Sequence, residues 1–143
     1  MVTYLHNSYI VSDLGSSYEK VKHDHDLKDK RINYVKSKYS SLSYLTRGKR
    51  LLKWLLTDKE LSALMHGNCA YCGSLPSNKG LYFPRSLGIF KYSGIDRIDS
   101  KGDYEYSNTC SCCFVCNRAK SSLGVVEFLD WVKKIHKHQG FAK

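Results

Sequence analysis

The sequence predicts a small α+β fold. Three observations carry this: apolar residues at helical spacing near both ends, two short extended stretches separated by a turn, and cysteines in Cys-x-x-Cys pairs around them. At 143 residues the chain suits one domain, or a small core with an extension. It divides for description into a basic, mainly helical region, 1–56, and a cysteine-bearing unit with a C-terminal helix, 57–143.

Residues 1–20 are mixed and give no firm element. Across 21–40, Leu27, Ile32, Val35 and Tyr39 fall roughly at helical spacing in a highly charged stretch, which predicts a basic helix. Residues 44–56 mix bases with bulky apolar groups, and Gly48 predicts a break. Thr57 and Glu60 have capping-box spacing, with Leu61 and Leu64 as the buried stripe, so a helix is expected from Asp58 to about His66. Asn68–Gly73 reads as a tight knuckle, and 74–89, which holds both prolines, as a loop. Extended structure is expected at 89–98 and 106–112, with a turn at "SKGDY" between them. A helix follows from Phe114 to about Ser121. Val125, Phe128, Leu129, Val132 and Ile135 then mark an amphipathic C-terminal helix, carrying Lys133, Lys134 and Lys137, with Lys143 beyond. Trp54 and Trp131 are expected as core anchors.

The net charge is +10, from 23 basic and 13 acidic side chains. Such a surface concentrates polyanions, and nucleic acid is the first partner to consider. No apolar run approaches membrane-spanning length, and no basic amphipathic helix with a clean apolar face is evident. The first residues carry no basic n-region, so the expectation is an intracellular protein that is not secreted. The 11 tyrosines suit both a small core and stacking on bases.

Six cysteines lie at 69, 72, 110, 112, 113 and 116. Paired Cys-x-x-Cys spacing without a secretory leader favours metal over disulfides. Cys69, Cys72, Cys113 and Cys116 can close a tetrahedral Zn²⁺ site with Zn–S bonds of ~2.3 Å. Four thiolates leave no open position, so this zinc is expected to be structural, and its binding energy becomes folding energy. Cys110 and Cys112, one residue apart, fit a strand or core better than a knuckle.

The same region carries hard oxygen donors. Asp96 ends a candidate strand, and Asn117 follows a zinc ligand at a helix start. A zinc clamp between their segments would bring them together. One carboxylate and one amide oxygen leave room for water and phosphate, as Mg²⁺ prefers. Asn108 could orient a water or a catalytic side chain, and Arg118 and Lys120 share the helix of Asn117, placed to hold phosphates.

The pattern Cys69-x-x-Cys72, Asp96-Arg97, Asn108, Cys113-x-x-Cys116-Asn117-x-x-Lys120 resembles the HNH endonucleases over residues 57–135. That resemblance implies a ββα-metal fold (also called the His-Me finger). It implies hydrolysis of phosphodiester bonds in DNA with one divalent cation, Mg²⁺ or Mn²⁺. Asp96 and Asn117 would be the cation's ligands, Asn108 the middle residue, and position 97 the general base. The family's usual Asp-His is Asp96-Arg97 here, similar to a subgroup common in phage and viral reading frames that includes a rare-cutting restriction enzyme. That implies a phage, virus or mobile-element origin.

Arginine, with a pKa above ~12, cannot take a proton from water. It can neutralise charge on the transition-state phosphorane. Three candidates for the base remain: Tyr71, whose pKa a nearby Arg97 and divalent cation would lower; His66; and a cation-activated water with no protein base. The plain alternative for Tyr71 is a packing residue beside the zinc.

Lys49, Arg50 and Lys53, with Lys28, Lys30 and Arg31, can follow a DNA backbone or be ordinary solvated charges. The run His23-Asp24-His25-Asp26 lacks a second cluster and reads as a solvated segment. Two other functions stay open: a non-catalytic nucleic-acid-binding protein derived from such a nuclease, in a larger assembly, and a zinc-ribbon-like interaction module. A homodimer would cut both strands, whereas a monomer with one site would nick.

Overall fold

The structure, a computed structural model, describes residues 17–40, 51–82 and 85–141, with backbone only for 17–25 and 85. It is a small α+β arrangement, with four α-helices and two two-stranded sheets among the described residues. The helices are α1 (Ser17–Ser40), α2 (Asp58–His66), α3 (Phe114–Lys120) and α4 (Val125–Gln139). Strands β1 (Asn78–Leu81) and β2 (Ile89–Tyr92) form one antiparallel hairpin, and β3 (Gly94–Arg97) and β4 (Thr109–Cys112) form another.

The charged run of α1 is helical, and Leu27, Ile32, Val35 and Tyr39 are its buried face. Arg31 is not on the solvated side. It is 7% exposed, and Tyr82 is its hydrogen-bond partner. The expectation that Arg31 follows a polyanion is therefore corrected; Lys28 and Lys30 do stay exposed. The His23–Asp26 run lies on α1, and its first three side chains fall outside the described residues.

Helix α2 begins with the full capping box. The Glu60 N–H donates to Thr57 Oγ1 at 3.3 Å, and the Thr57 N–H donates to Glu60 Oε2 at 2.8 Å. Leu61, Leu64 and Met65 go into the core. Thr57→Ala removes one half of the box, and a loss of about 1 kcal/mol is expected by urea denaturation.

One cluster joins Leu27, Val35 and Tyr39 to Leu52, Leu56, Leu61, Met65, Phe90, Tyr92, Ile95 and Tyr104. Residue 56 thus divides no core, because side chains from both sides fill the same cluster. The 51–56 segment is zipped onto the rest through Leu55 N to Tyr104 O, 2.9 Å, and Tyr104 N to Lys53 O, 3.0 Å.

Two expectations need correction. Residues 74–89 are not all loop, since β1 occupies 78–81. The period-two signal there is only four residues long and is interrupted by Gly80. Glycine is required because a Cβ at 80 would run into the Phe90 ring. Trp131 is not a core anchor, being 47% exposed. Helix α4 forms as the spacing predicts, yet it buries only Phe128, set edge-on to Tyr71 with ring centroids 5.4 Å apart. Trp54 does pack against the core. Among the described residues no helix is long and apolar enough to cross a membrane.

Candidate metal centre and active-site cleft

The four paired cysteines converge. Cys69 and Cys72 lie on a turn closed by Gly73 N to Cys69 O, 2.8 Å, with Gly73 at φ 73°, where a side chain would be strained. Ala70 N donates to Ser111 O at 2.8 Å, which pins the turn beside β4. Cys113 is the N-cap of α3, its sulfur accepting from Cys116 N at 3.4 Å. The four Sγ atoms all lie within 4.8 Å of one another. Tetrahedral Zn–S bonds of ~2.3 Å separate sulfurs by about 3.8 Å, and Cys72 Sγ and Cys113 Sγ are 3.8 Å apart. These four residues can hold a metal ion, and their donor set and spacing fit structural zinc.

The protonation chemistry agrees with a cation site. Burial opposes ionisation of Cys69, but N–H donors of Cys113, Cys72 and Tyr71 outweigh it and bring the thiol down to about 6. Cys72 is also held low, first by the Ser74 hydroxyl and then by the Ser74 N–H. Burial, then the neighbouring sulfurs of Cys113, Cys72 and Cys69, push Cys116 up. Four crowded thiols cannot all ionise without a positive charge among them. Cys112 is fully buried on β4, its thiol pushed up by burial, and Cys110 sits beside the Tyr71 hydroxyl at 3.6 Å.

Next to this cluster opens a cleft of about 660 Å³. Asp96, Arg97, Asn117 and Arg118 line it, with Lys38, Asn78, Ser100 and Tyr104. The β3–β4 hairpin supplies Asp96 and Arg97, and α3 supplies Asn117 and Arg118. Asn117 Nδ2 donates to Ile95 O at 3.3 Å, so its oxygen is the atom it can offer a cation.

Asp96 is 5% exposed and already partnered. Tyr71 Oη donates to its Oδ2 at 2.6 Å, and Lys120 Nζ lies 3.1 Å from the same oxygen and 3.3 Å from Oδ1. Lys120 is fully buried and also donates to Arg97 O at 2.9 Å and Ser100 Oγ at 3.2 Å. The expectation that Lys120 holds phosphates is therefore corrected: its ammonium faces inward. Position on a short helix does not tell which face a lysine takes, so nothing in the sequence separates it from exposed Arg118.

Tyr71 donates its hydroxyl proton to Asp96 Oδ2. Burial, then its hydrogen bonds to Asp96 and Cys110, push the phenol well above the usual pKa range. Arg97 is not directed at it. Arg97 Nη1 donates to Ser100 O at 2.7 Å and Gly102 O at 2.8 Å, and the guanidinium lies over the Tyr104 ring, 5.2 Å from its centroid.

Asn108 fixes a loop rather than an attacking water. Its Oδ1 accepts from Asp99 N at 2.8 Å, and its Nδ2 donates to Asp99 O and Asp103 O. That loop presents the two carbonyls that hold Arg97, so Asn108 positions Arg97 indirectly. His66 is exposed, with Nδ1 2.7 Å from Ser62 O. Lys53 is exposed; Lys49 and Arg50 lie outside the described residues. Sequence reasoning missed the Tyr104 platform under Arg97 and the buried Lys120–Asp96 pair, because both depend on contacts between distant segments.

No family model matches the chain, and no solved structure matches it. Among curated proteins the chain is similar to an uncharacterized protein of the Acanthamoeba polyphaga mimivirus, 31% identical over 78 residues. The match covers 54% of this chain and spans 12% of the length of that viral protein.

Proposed function

We propose that this protein is a DNA endonuclease of HNH type, its β3–β4 hairpin and α3 forming a ββα-metal core beside a structural zinc. The observation that carries the reading is the shared cleft. Asp96, Asn117 and Arg97 face one concave surface, with the exposed Arg118 on the same wall.

Asp96 and Asn117 would hold Mg²⁺ or Mn²⁺ with oxygen donors. The carboxylate has lone pairs beyond those used by Tyr71 and Lys120, so the donor set fits. The cation would supply charge neutralisation at the phosphate and acidify the attacking water. Arg97, steadied by two carbonyls and the Tyr104 face, meets the charge that develops on phosphorus. Arg118 takes a neighbouring phosphate. Tyr71 holds the Asp96 carboxylate in place, its hydroxyl proton engaged with Oδ2. A lone site nicks one strand, and cutting both strands requires a second copy.

A second reading, a non-catalytic DNA-binding protein built on the same scaffold, has one observation in its favour: both Asp96 oxygens already have partners.

Supercoiled plasmid with the zinc-loaded protein in Mg²⁺, in Mn²⁺ and in EDTA separates the two. Cation-dependent nicking or linearisation is expected, reduced at least a hundredfold by Asn117→Ala. Absence of cutting with every cation, alongside retained plasmid binding, would sink the nuclease and leave the second reading.

A further inference from the structure

Helix α3 ends in a turn that asks for glycine and holds serine. Ser121, its C-cap, has φ 51° and ψ −121°. Among the described residues no other non-glycine residue has a positive φ. Leu123 N donates to Lys120 O at 3.0 Å, so Ser121 is the second residue of a four-residue turn. Its angles are the mirror image of those in the type II turn, and a Cβ is strained there, which is why glycine dominates that position. Such strain persists only where the surroundings over-determine it. Both ends of this turn are tied down. Before it, the Lys120 ammonium is buried against Asp96, Arg97 O and Ser100 Oγ. After it, Ser100 Oγ donates to Leu123 O at 3.0 Å, and Val125 N to Ile98 O at 3.2 Å.

Nothing in the turn uses the hydroxyl. Ser121 is exposed, and its Oγ has no hydrogen-bond partner among the described residues. Glycine would make the same turn without strain, so folding does not explain the side chain. Its position does. Ser121 lines the cleft together with Arg97, Asn117 and Arg118. Its Cα stands about 6 Å along the helix axis from that of Asn117 and about 4.5 Å from that of Arg118, at ~1.5 Å per residue. The loop that seats Arg97 also holds the turn: Ser100 O accepts from Arg97 Nη1, and Ser100 Oγ donates to Leu123 O. Ser121 and Arg97 are thus tied to one framework and face one concave surface.

We propose that Ser121 is a phosphate-binding residue. Its Oγ donates to the DNA phosphate that Arg118 also holds, next to the phosphate at Asn117. Hydroxyls and guanidinium groups both contact phosphate oxygens, and such contacts fix the register of a strand without reading its sequence. Arg118 supplies the charge and Ser121 a short, directional donor. The strained turn is what it takes to place a hydroxyl, instead of a bare glycine, at that point of the wall. The proposal rests on the nucleic-acid reading of the cleft, but not on its catalysis.

The test pairs affinity with stability. Binding of the full-length, zinc-loaded protein to a fluorescent DNA duplex is followed in Ca²⁺ across a salt series, beside thermal melts. Ser121→Gly relaxes the turn and removes the hydroxyl. It is expected to raise the melting temperature by roughly 2–6 °C. It should weaken duplex binding about tenfold, the scale of one hydrogen bond to a charged group. Ser121→Ala keeps the Cβ, so it should weaken binding equally with no gain in melting temperature. Neither variant should alter the slope of log affinity on log salt, because a hydroxyl releases no counterion, whereas Arg118→Gln should make it shallower by about 0.9. Duplex affinity unchanged in both serine variants would overturn the proposal, as would a Ser121→Gly protein that melts no higher than wild type, or wild-type protein that binds no duplex. The outcomes separate from those for catalysis. Wild-type protein that binds through Ser121 yet never nicks plasmid loses only the nuclease reading. Protein that nicks plasmid while both serine variants bind normally loses only the role of Ser121.

Discussion

Lys120→Met is expected to cost about 3–5 kcal/mol of folding stability, the range for breaking a buried ion pair from one side. The side chain is fully buried and the Asp96 carboxylate nearly so. Removing the ammonium leaves Asp96 as a buried carboxylate supported only by Tyr71. It also strips a donor from Arg97 O and Ser100 Oγ, loosening the loop on which Arg97 depends. Asp96→Asn makes the opposite error, leaving an ammonium buried without its counter-charge. The double variant Asp96→Asn with Lys120→Met removes both charges, so it should lose less than the sum of the two single losses, with a coupling energy of a few kcal/mol by urea denaturation. A Lys120→Met protein as stable as wild type would show that the pair is not buried in solution.

Metal removal should have a still larger effect. Structural zinc contributes about 10–16 kcal/mol in zinc-finger peptides, as much as the whole stability of many domains. The loss should be uneven here. The aromatic and aliphatic core runs from α1 to Tyr104 and contains no cysteine. A second, much smaller cluster consists of Cys69, Cys112 and Cys113 with Tyr71 and Cys116 packed on it, so the metal's share of the packing is largest there. A strong chelator is therefore expected to release hydrogen-exchange protection in α3 and α4 first, with α1 and α2 following only at higher temperature.

Metal affinity should rise with pH, because protons compete for the sulfurs. Cys69 is largely a thiolate above its value of about 6, and as pH falls through that value its share of the affinity disappears. Cys116, held up by burial and by its neighbours, must shed a proton when metal enters, so uptake near neutrality should acidify a weakly buffered solution. Uniform protection in chelated protein, or metal uptake without proton release, would contradict this account.

What the sequence revealed was governed by local chemistry. The capping box around Thr57, the apolar spacing on α1 and α2, and the paired cysteines depend on neighbours a few residues away, and each appears where it was expected. The two strands around Asp96 and Cys112 were legible in part: a turn separates them, but the expected stretch 89–98 divides between two hairpins, and Tyr106–Asn108 of 106–112 forms a 3₁₀ turn. Hairpin β1–β2 was not, since its first strand is short and depends on Phe90 seating over Gly80. At the cleft, residue types were legible but directions were not. Arg97, Asn108 and Lys120 look alike in sequence as polar residues near a cation site. Contacts with Tyr104, the 99–103 backbone and Asp96 make them, respectively, a seated cation, a loop brace and a buried counter-ion.

The outer side of β3 illustrates how such contacts do two jobs. Its partner β4 covers one side only, and a bare strand edge invites another chain to add itself. Here Tyr39 Oη accepts the Ile95 N–H at 3.2 Å, Asn117 Nδ2 covers Ile95 O, and Lys120 Nζ covers Arg97 O. Side chains from α1 and α3 thus seal an edge strand that would otherwise be a template for intermolecular pairing. The sealing residues include two from the site itself, so the cleft and the protection against aggregation share the same atoms. Any change that frees Asn117 or Lys120 to do something else unseals the sheet.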